Sequence, residues 1–316
     1  MKTDLRIVFM GTPEFAVAIL DAILAHNYQV VGVITAPDKP AGRGRKINES
    51  AVKQYAQKQG LHILQPTNLK DPEFLKTLQA LQANVQVVVA FRMLPQAVWQ
   101  MPALGTFNLH ASLLPNYRGA APINWAIING ETETGVSTFF IDDNIDTGDM
   151  ILQKAVAIEE KDNVGTLHDK LMHTGSALVI DTLKRIENGT VETTAQPNTN
   201  ELKEANKLNR DNCKIDWNNS LETIHNKVRG LNPYPSAWCY LHNNDDTLEI
   251  KIYETHKELA EHNHSNGQIL ASKKTLKVAV SDGYIFIDAL KLPGKRKMAI
   301  KDLLNGYEFH EEAKML

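Results

Sequence analysis

Along its first two-thirds the chain alternates short apolar runs with stretches in which apolar residues recur every third or fourth position. LRIVFM (5–10) is a continuous apolar run, the pattern of a strand buried on both faces. Gly11-Thr12-Pro13 then turns the chain, with Thr12 placed to cap a helix and Pro13 at its first position. Phe15, Ile19, Leu20, Ile23 and Leu24 follow at helical spacing, and YQVVGVITA (28–36) reads as a second strand. AVKQYAQKQG, LHIL, PEFLKTLQAL, NVQVVVAF and GTFNLH continue the alternation. GVSTFFI (135–141) and ILQKAVAI (151–158) add strands, and a helix near 164–188 closes the unit. Such alternation predicts right-handed βαβ crossovers and a mostly parallel, Rossmann-like α/β sheet. Beyond it, 188–212 is polar and rich in asparagine, the texture of a linker. ETIHNKVRGL then offers one helix, and LEIKIYE, GQILAS, LKVAV and YIFIDAL are short alternating segments. Strands of that length and spacing predict a smaller OB-like β-barrel. The expected organisation is a Rossmann-like domain over 1–189, a linker over 190–206 and a barrel domain over 207–316.

Composition changes this picture little. The 316 residues are 43% hydrophobic and 22% charged, values of a folded globular protein rather than a disordered one. The net charge of −3 means that any polyanion must be met by local patches. Cys213 and Cys239 make no CxxC pair, and the N-terminus has neither a signal-peptide nor a transit-peptide pattern. No uncharged run reaches about 18 residues, so no membrane span is expected. The expectation is a reduced, cytoplasmic protein that does not engage a membrane.

Four segments are candidates for chemistry. Gly11 sits where a dinucleotide fingerprint would begin, but GxGxxG is absent and so is a Walker loop; a tight strand-to-helix turn accounts for it, with or without a ligand passing over. In FNLHASLLPNYRGAAPINW (107–125), Asn108 and His110 are two apart on a strand, so their side chains share one face at its carboxyl end. Open α/β sheets bind ligands at that end, although a hydrogen-bonded structural pair would look the same. FFIDDNIDTGDM (139–150) opens like a calcium loop, but Thr147 stands where glycine is needed and Gln153 where the bidentate glutamate belongs. Calcium is rejected and no metal is expected. Asp146 remains as a partner that could orient His110, while Asp142, Asp143 and Asp149 read as a solvated turn. PDKPAGRGRK (37–46) brings Lys39, Arg43, Arg45 and Lys46 into a glycine-rich connection that suits either solvent or a phosphate backbone. A second basic cluster comprises Lys291, Lys295, Arg296, Lys297 and Lys301.

Taken together, NLHASLLPNYRGAAPINWAIINGETETGVSTFFIDDNIDTGDM resembles the signature of the 10-formyltetrahydrofolate-dependent formyltransferases. The resemblance runs from MGTPEF to the C-terminal segments, NPYPSAW (232–238) included; AFRMLP (90–95) departs from it, away from Asn108, His110 and Asp146. It implies a catalytic set of Asn108, His110 and Asp146. It also implies a folate border of Ser112, Leu113, Leu114 and Pro115, with Arg92, Ile141 and Asp142 beside them, and 10-formyltetrahydrofolate as co-substrate. RGAAPINWA and PAGRGRK look most like the members that formylate the α-amine of initiator methionyl-tRNA, which implies that Lys39, Arg43, Arg45 and Lys46 reach the tRNA acceptor end. Residues 206–316 hold 16 basic and 15 acidic side chains, so contacts there would depend on arrangement rather than net charge. A monomer is expected. Members that formylate amino-sugar nucleotides are the alternative, since they too can carry a barrel-like second domain.

Overall fold

The computed structural model describes residues 2–41, 46–197 and 201–316. By internal contacts the chain groups into two units that are discontinuous in sequence. One comprises 1–119, 135–156 and 168–204; the other comprises 120–134, 157–167 and 205–316. The helix Pro122–Ile128 thus groups with the C-terminal residues, where the Asn124 carboxamide donates to the Gly230 carbonyl at 2.8 Å.

The first unit is built on a seven-stranded sheet, in the order Met150–Ala157, Glu133–Phe140, Thr106–His110, Val85–Val89, Arg6–Gly11, Gln29–Ile34, Ile63–Leu64. The last five are mutually parallel, and Glu133–Phe140 joins antiparallel, with His110 opposite Ser137. The mostly parallel sheet expected from the alternation is therefore present. Its central strands are buried on both faces. Val8, Met10 and Val88 pack on Phe74, Leu78 and Val98, while Ile7, Phe9 and Val87, pointing the other way, are equally inaccessible. Chain order reverses between Arg6–Gly11 and Val85–Val89, and ligand crevices of open α/β sheets lie outside the carboxyl ends of the strands at such a point.

One local expectation is corrected. The first helix is Glu14–Ala25, and its N-cap is Pro13, extended at φ −85°, with no side-chain cap; Thr12 lies outside it. The Pro13 carbonyl accepts from the amides of Ala16 and Val17, so backbone bonds alone close the first turn. The long closing helix is Val164–Asn188. The segment after it does not run free. Thr194 and Met150 exchange backbone hydrogen bonds of 2.9 Å, and the Lys203 carbonyl accepts from the Tyr117 amide at 2.6 Å.

The second unit is an antiparallel sheet in the order Ile269–Ala271, Leu276–Val280, Gly283–Lys291, Asp246–Leu259, Ala237–Asn243, Lys314–Met315. The sheet curls until its edges meet. Gln268 bridges to Lys314, Ile269 N–H donates to Ala313 at 3.1 Å, and Met315 N–H donates to Gly267 at 2.8 Å. This is the expected small barrel, nearly closed. Closure depends on Gly267, at φ +81°, where a Cβ would stand 2.3 Å from the Met315 carbonyl oxygen. Trp217, Ile224, Val228, Cys239, Ile250, Val278 and Ile285 belong to its core.

Candidate active site

Thr106–His110 delivers Asn108 and His110 to the carboxyl end of the sheet, and the chain then leaves through Ser112–Pro115. That exit loop is fixed from beneath by Ser137. The Ser137 hydroxyl donates to the Ser112 carbonyl at 2.6 Å and accepts from the Leu114 amide at 3.1 Å. The Gln153 carboxamide donates to that hydroxyl at 2.9 Å and to the Leu114 carbonyl at 2.8 Å. Ser112 itself is fully buried, and its hydroxyl donates to the Asn116 carbonyl at 2.7 Å. Ser112 and Leu114 thus hold the loop from inside, while Leu113 and Pro115 are its half-buried members. Ser137 was not singled out from sequence, and Gln153 entered only as the residue that argued against calcium. A hydroxyl inside the apolar run GVSTFFI, buried at 0% exposure, was the available signal, because a buried polar group needs partners.

His110 is 7% exposed, and its two nitrogens have different partners. Nε2 lies 2.8 Å from the Tyr117 carbonyl oxygen. A carbonyl only accepts, so Nε2 carries a hydrogen, and in the neutral ring Nδ1 carries the lone pair. Tyr117 presents that carbonyl from a left-handed backbone, φ +61°. Asp146 stands on the other side, Oδ2 3.7 Å from Nδ1. The nitrogen remote from the lone pair is therefore oriented by a backbone carbonyl, where the sequence had offered Asp146. Asp146 instead faces Nδ1, beyond direct hydrogen-bond reach but close enough to stabilise a positive ring.

Asp146 is also left-handed, φ +56°, and its carboxylate accepts from the Gly119 amide at 2.9 Å. The loop carrying it is tight. Phe140 N–H donates to Asp149 at 3.0 Å across its base, and a Cβ on Gly148 would meet the Phe140 carbonyl oxygen at 1.7 Å. Asp142 is built into this loop: its carboxylate accepts from the Thr147 hydroxyl at 2.8 and 2.9 Å and from the Asn144 amide at 3.0 Å. The Ile141 amide donates to the Thr106 carbonyl at 2.8 Å, and its side chain packs on the core of the sheet. Arg92 is exposed, and its guanidinium donates to the carbonyls of Thr67, at 3.0 Å, and Pro66. Asn108 is half-buried, and among the described residues nothing takes its carboxamide. Its N–H groups are available to a ligand.

Lys39 is exposed and opens a two-stranded hairpin, Lys39–Ala41 with Lys46–Asn48. Arg43 and Arg45 lie outside the described residues. Within the second basic cluster, Lys297 pairs with Glu254. Among the described residues no group of three or more histidine, cysteine or carboxylate side chains could hold a metal ion, and no helix is long and apolar enough to cross a membrane.

A half-buried carboxamide without a protein partner among the described residues, an imidazole whose Nε2 faces a carbonyl and a carboxylate 3.7 Å from its Nδ1, near the carboxyl end of an open α/β sheet, are groups suited to transfer chemistry at a carbonyl. Comparison makes the class specific. Residues 5–183 match the family model described as formyl transferase, and 207–308 match formyl transferase, C-terminal domain. The chain belongs to the formyl transferase family. It is 62% identical over 311 residues to a methionyl-tRNA formyltransferase of Flavobacterium johnsoniae, covering 98% of this chain and 99% of that one. It is 51% identical over 319 residues to the protein of that name from Bacteroides fragilis, covering 99% and 98%. Among solved structures, HypX from Aquifex aeolicus in complex with tetrahydrofolic acid superposes with a TM-score of 0.64 at 17% identity, over 96% of this chain and 47% of that one. The sugar 3N-formyl transferase WlaRD gives 0.64 at 21% identity, over 93% and 100%. These structural likenesses are of fold.

Proposed function

We propose that the chain transfers the formyl group of 10-formyltetrahydrofolate to the α-amine of initiator methionyl-tRNA, giving N-formylmethionyl-tRNA for translation initiation. The observation that carries this is full-length identity of 62% and 51% to methionyl-tRNA formyltransferases, and it is supported by Asn108 and His110 on one strand, with Asp146 Oδ2 3.7 Å from His110 Nδ1. Initiator tRNA and folate are met in the cytoplasm, and there the chain acts, as a monomer.

The residues divide the reaction as follows. An α-amine has a pKa of about 7.7–8.0, lowered further by a neighbouring ester, so the nucleophile needs no strong base near pH 7. Asn108 donates an amide hydrogen to the oxyanion that develops on the formyl oxygen; such a donor is worth about 10²–10³ in rate. His110 takes the proton shed by the attacking nitrogen at Nδ1, directly or through one water. The imidazolium so formed has both hydrogens placed, Nε2–H on the Tyr117 carbonyl and Nδ1–H toward Asp146. His110 then returns the proton to the departing N10 of the folate as the C–N bond breaks. Leu113 and Pro115, on a loop held by Ser137 and Gln153, border the folate; Arg92, Ile141 and Asp142 line the same side. Lys39, Arg43, Arg45 and Lys46 hold the acceptor end of the tRNA through phosphate.

The test is a single-turnover reaction of the protein with 10-formyltetrahydrofolate and charged initiator tRNA, with a UDP-amino sugar in a parallel tube. Formyl-methionyl-tRNA alone is expected. Formylated sugar alone would overturn the acceptor while leaving the carbonyl chemistry in place.

A further inference from the structure

The loop that carries Asp146 is held by a side chain from outside it. Gln196 lies in the polar segment after the long helix, two residues beyond the backbone bridge between Thr194 and Met150. Its Nε2 donates to the carbonyl oxygens of Asp146, at 3.0 Å, and Gly148, at 2.8 Å. Its Oε1 accepts from Nε of Arg118, at 3.2 Å, and from a terminal guanidinium nitrogen of the same residue, at 2.7 Å. A carboxamide offers two N–H donors and two acceptor lone pairs, and here all four are used. The next residue after Arg118, Gly119, supplies the amide that holds the Asp146 carboxylate. Gln196 therefore joins the two backbone segments that fix both ends of Asp146, its main chain and its carboxylate. Asp146 needs such a hold, because it is a non-glycine residue in the left-handed region, a conformation kept only where its surroundings impose it.

We infer that Gln196 is a positioning residue for formyl transfer: it keeps the Asp146 carboxylate opposite Nδ1 of His110, and Arg118 orients its carboxamide. This rests on the role given to Asp146 above. The side-chain chemistry is specific. Glutamate would keep the Arg118 contact as an ion pair but lose both donors and set a negative charge against two carbonyl oxygens. Asparagine is one methylene too short to span from its own backbone to the same partners.

Gln196→Ala and Gln196→Glu test the inference in the full chain. Single-turnover formyl transfer is measured at saturating folate and tRNA, each variant alone and combined with Asp146→Asn. The expected result is a 10- to 100-fold slower transfer step for both variants, KM for methionyl-tRNA within about twofold of wild type, and no further loss when either is added to Asp146→Asn. Gln196→Glu keeps the inference testable if the alanine variant does not fold. Wild-type rate in a folded Gln196→Glu protein would overturn it. So would losses that multiply with Asp146→Asn, which would make Gln196 a general support rather than a support of Asp146. Asp146→Asn at full rate would overturn the role of Asp146 itself, and this inference with it, a result read without reference to any Gln196 variant.

Discussion

Replacing Asp146 by asparagine removes one charge and little else. The side chain keeps its size, and its remaining oxygen can still accept from the Gly119 amide, now 2.9 Å away. What is lost is the attraction between the carboxylate and the imidazolium of His110 across 3.7 Å. At the dielectric of water that attraction is about 1 kcal/mol, and at an effective value of about 20 it is about 4.5 kcal/mol. Both side chains are largely out of solvent, His110 at 8% exposure and Asp146 at 16%, which places the pair toward the upper figure. At about 1.4 kcal/mol per tenfold, the step in which the ring is positive should slow by roughly 10²–10³. Single-turnover formyl transfer at saturating folate and tRNA reads that step directly. Coupling is checked with His110→Ala: if the carboxylate acts through the ring, the double variant transfers no more slowly than His110→Ala alone. Loss of less than threefold in Asp146→Asn, or losses that multiply in the double variant, would refute the assignment.

Three further outcomes are expected. The His225 ring, beside the Thr255 hydroxyl at 2.9 Å, is pushed down to about 4 from an ordinary 6.5, by burial first and then by the positive charges of Lys257 and Arg229. The folded chain refuses a proton that the unfolded chain accepts, so stability present above pH 6.5 is lost as pH falls from 6.5 to 4. After allowance for solvent this is about 1–3 kcal/mol, and His225→Gln should flatten that part of the urea-denaturation profile. Arg43→Ala with Arg45→Ala should weaken tRNA binding and reduce its dependence on salt while folate binding stays constant; an unchanged salt slope would remove that loop from the tRNA interface. Burial pushes the Cys239 thiol up to about 12 and raises Cys213 as well, so neither should react with a thiol reagent at pH 8 until the protein is denatured; a fast thiol in native buffer would contradict the barrel core.

Elements that carry their burial in side-chain pattern were readable in advance. The apolar run at 5–10 is the strand Arg6–Gly11, and the helix expected near 164–188 is Val164–Asn188. The strand Ala237–Asn243 was not singled out, because SAWCYLHN follows the prolines of NPYP and one of its faces, Ala237, Cys239, Leu241 and Asn243, has a single aliphatic residue larger than alanine. Closure of the barrel through Gly267 and Met315 was equally hidden, since it is made by backbone groups far apart in sequence. The same division runs through the site. Asn108, His110 and Asp146 are visible as residue types with chemistry. The carbonyl of Tyr117 has no letter of its own, and Gln196 is one glutamine in a polar stretch.

That backbone carbonyl decides how His110 can work. With Nε2–H committed to Tyr117, the ring has a single nitrogen at which a proton can be exchanged, and this nitrogen is the one facing Asp146. In the proposed transfer, a proton taken from the attacking amine must leave by the same atom. The ring therefore has to be neutral at attack and charged while the leaving nitrogen departs, without turning between the two. A ring that need not turn is well served by a rigid 7%-exposed setting, and a carboxylate 3.7 Å away stabilises the charged form without tying up the lone pair of the neutral one. A direct hydrogen bond to the Asp146 carboxylate would require Nδ1 to carry a hydrogen from the start. At 3.7 Å the carboxylate stabilises the ring only once it holds the proton, and interactions stronger in the transition state than in the ground state are the ones that raise the rate of transfer.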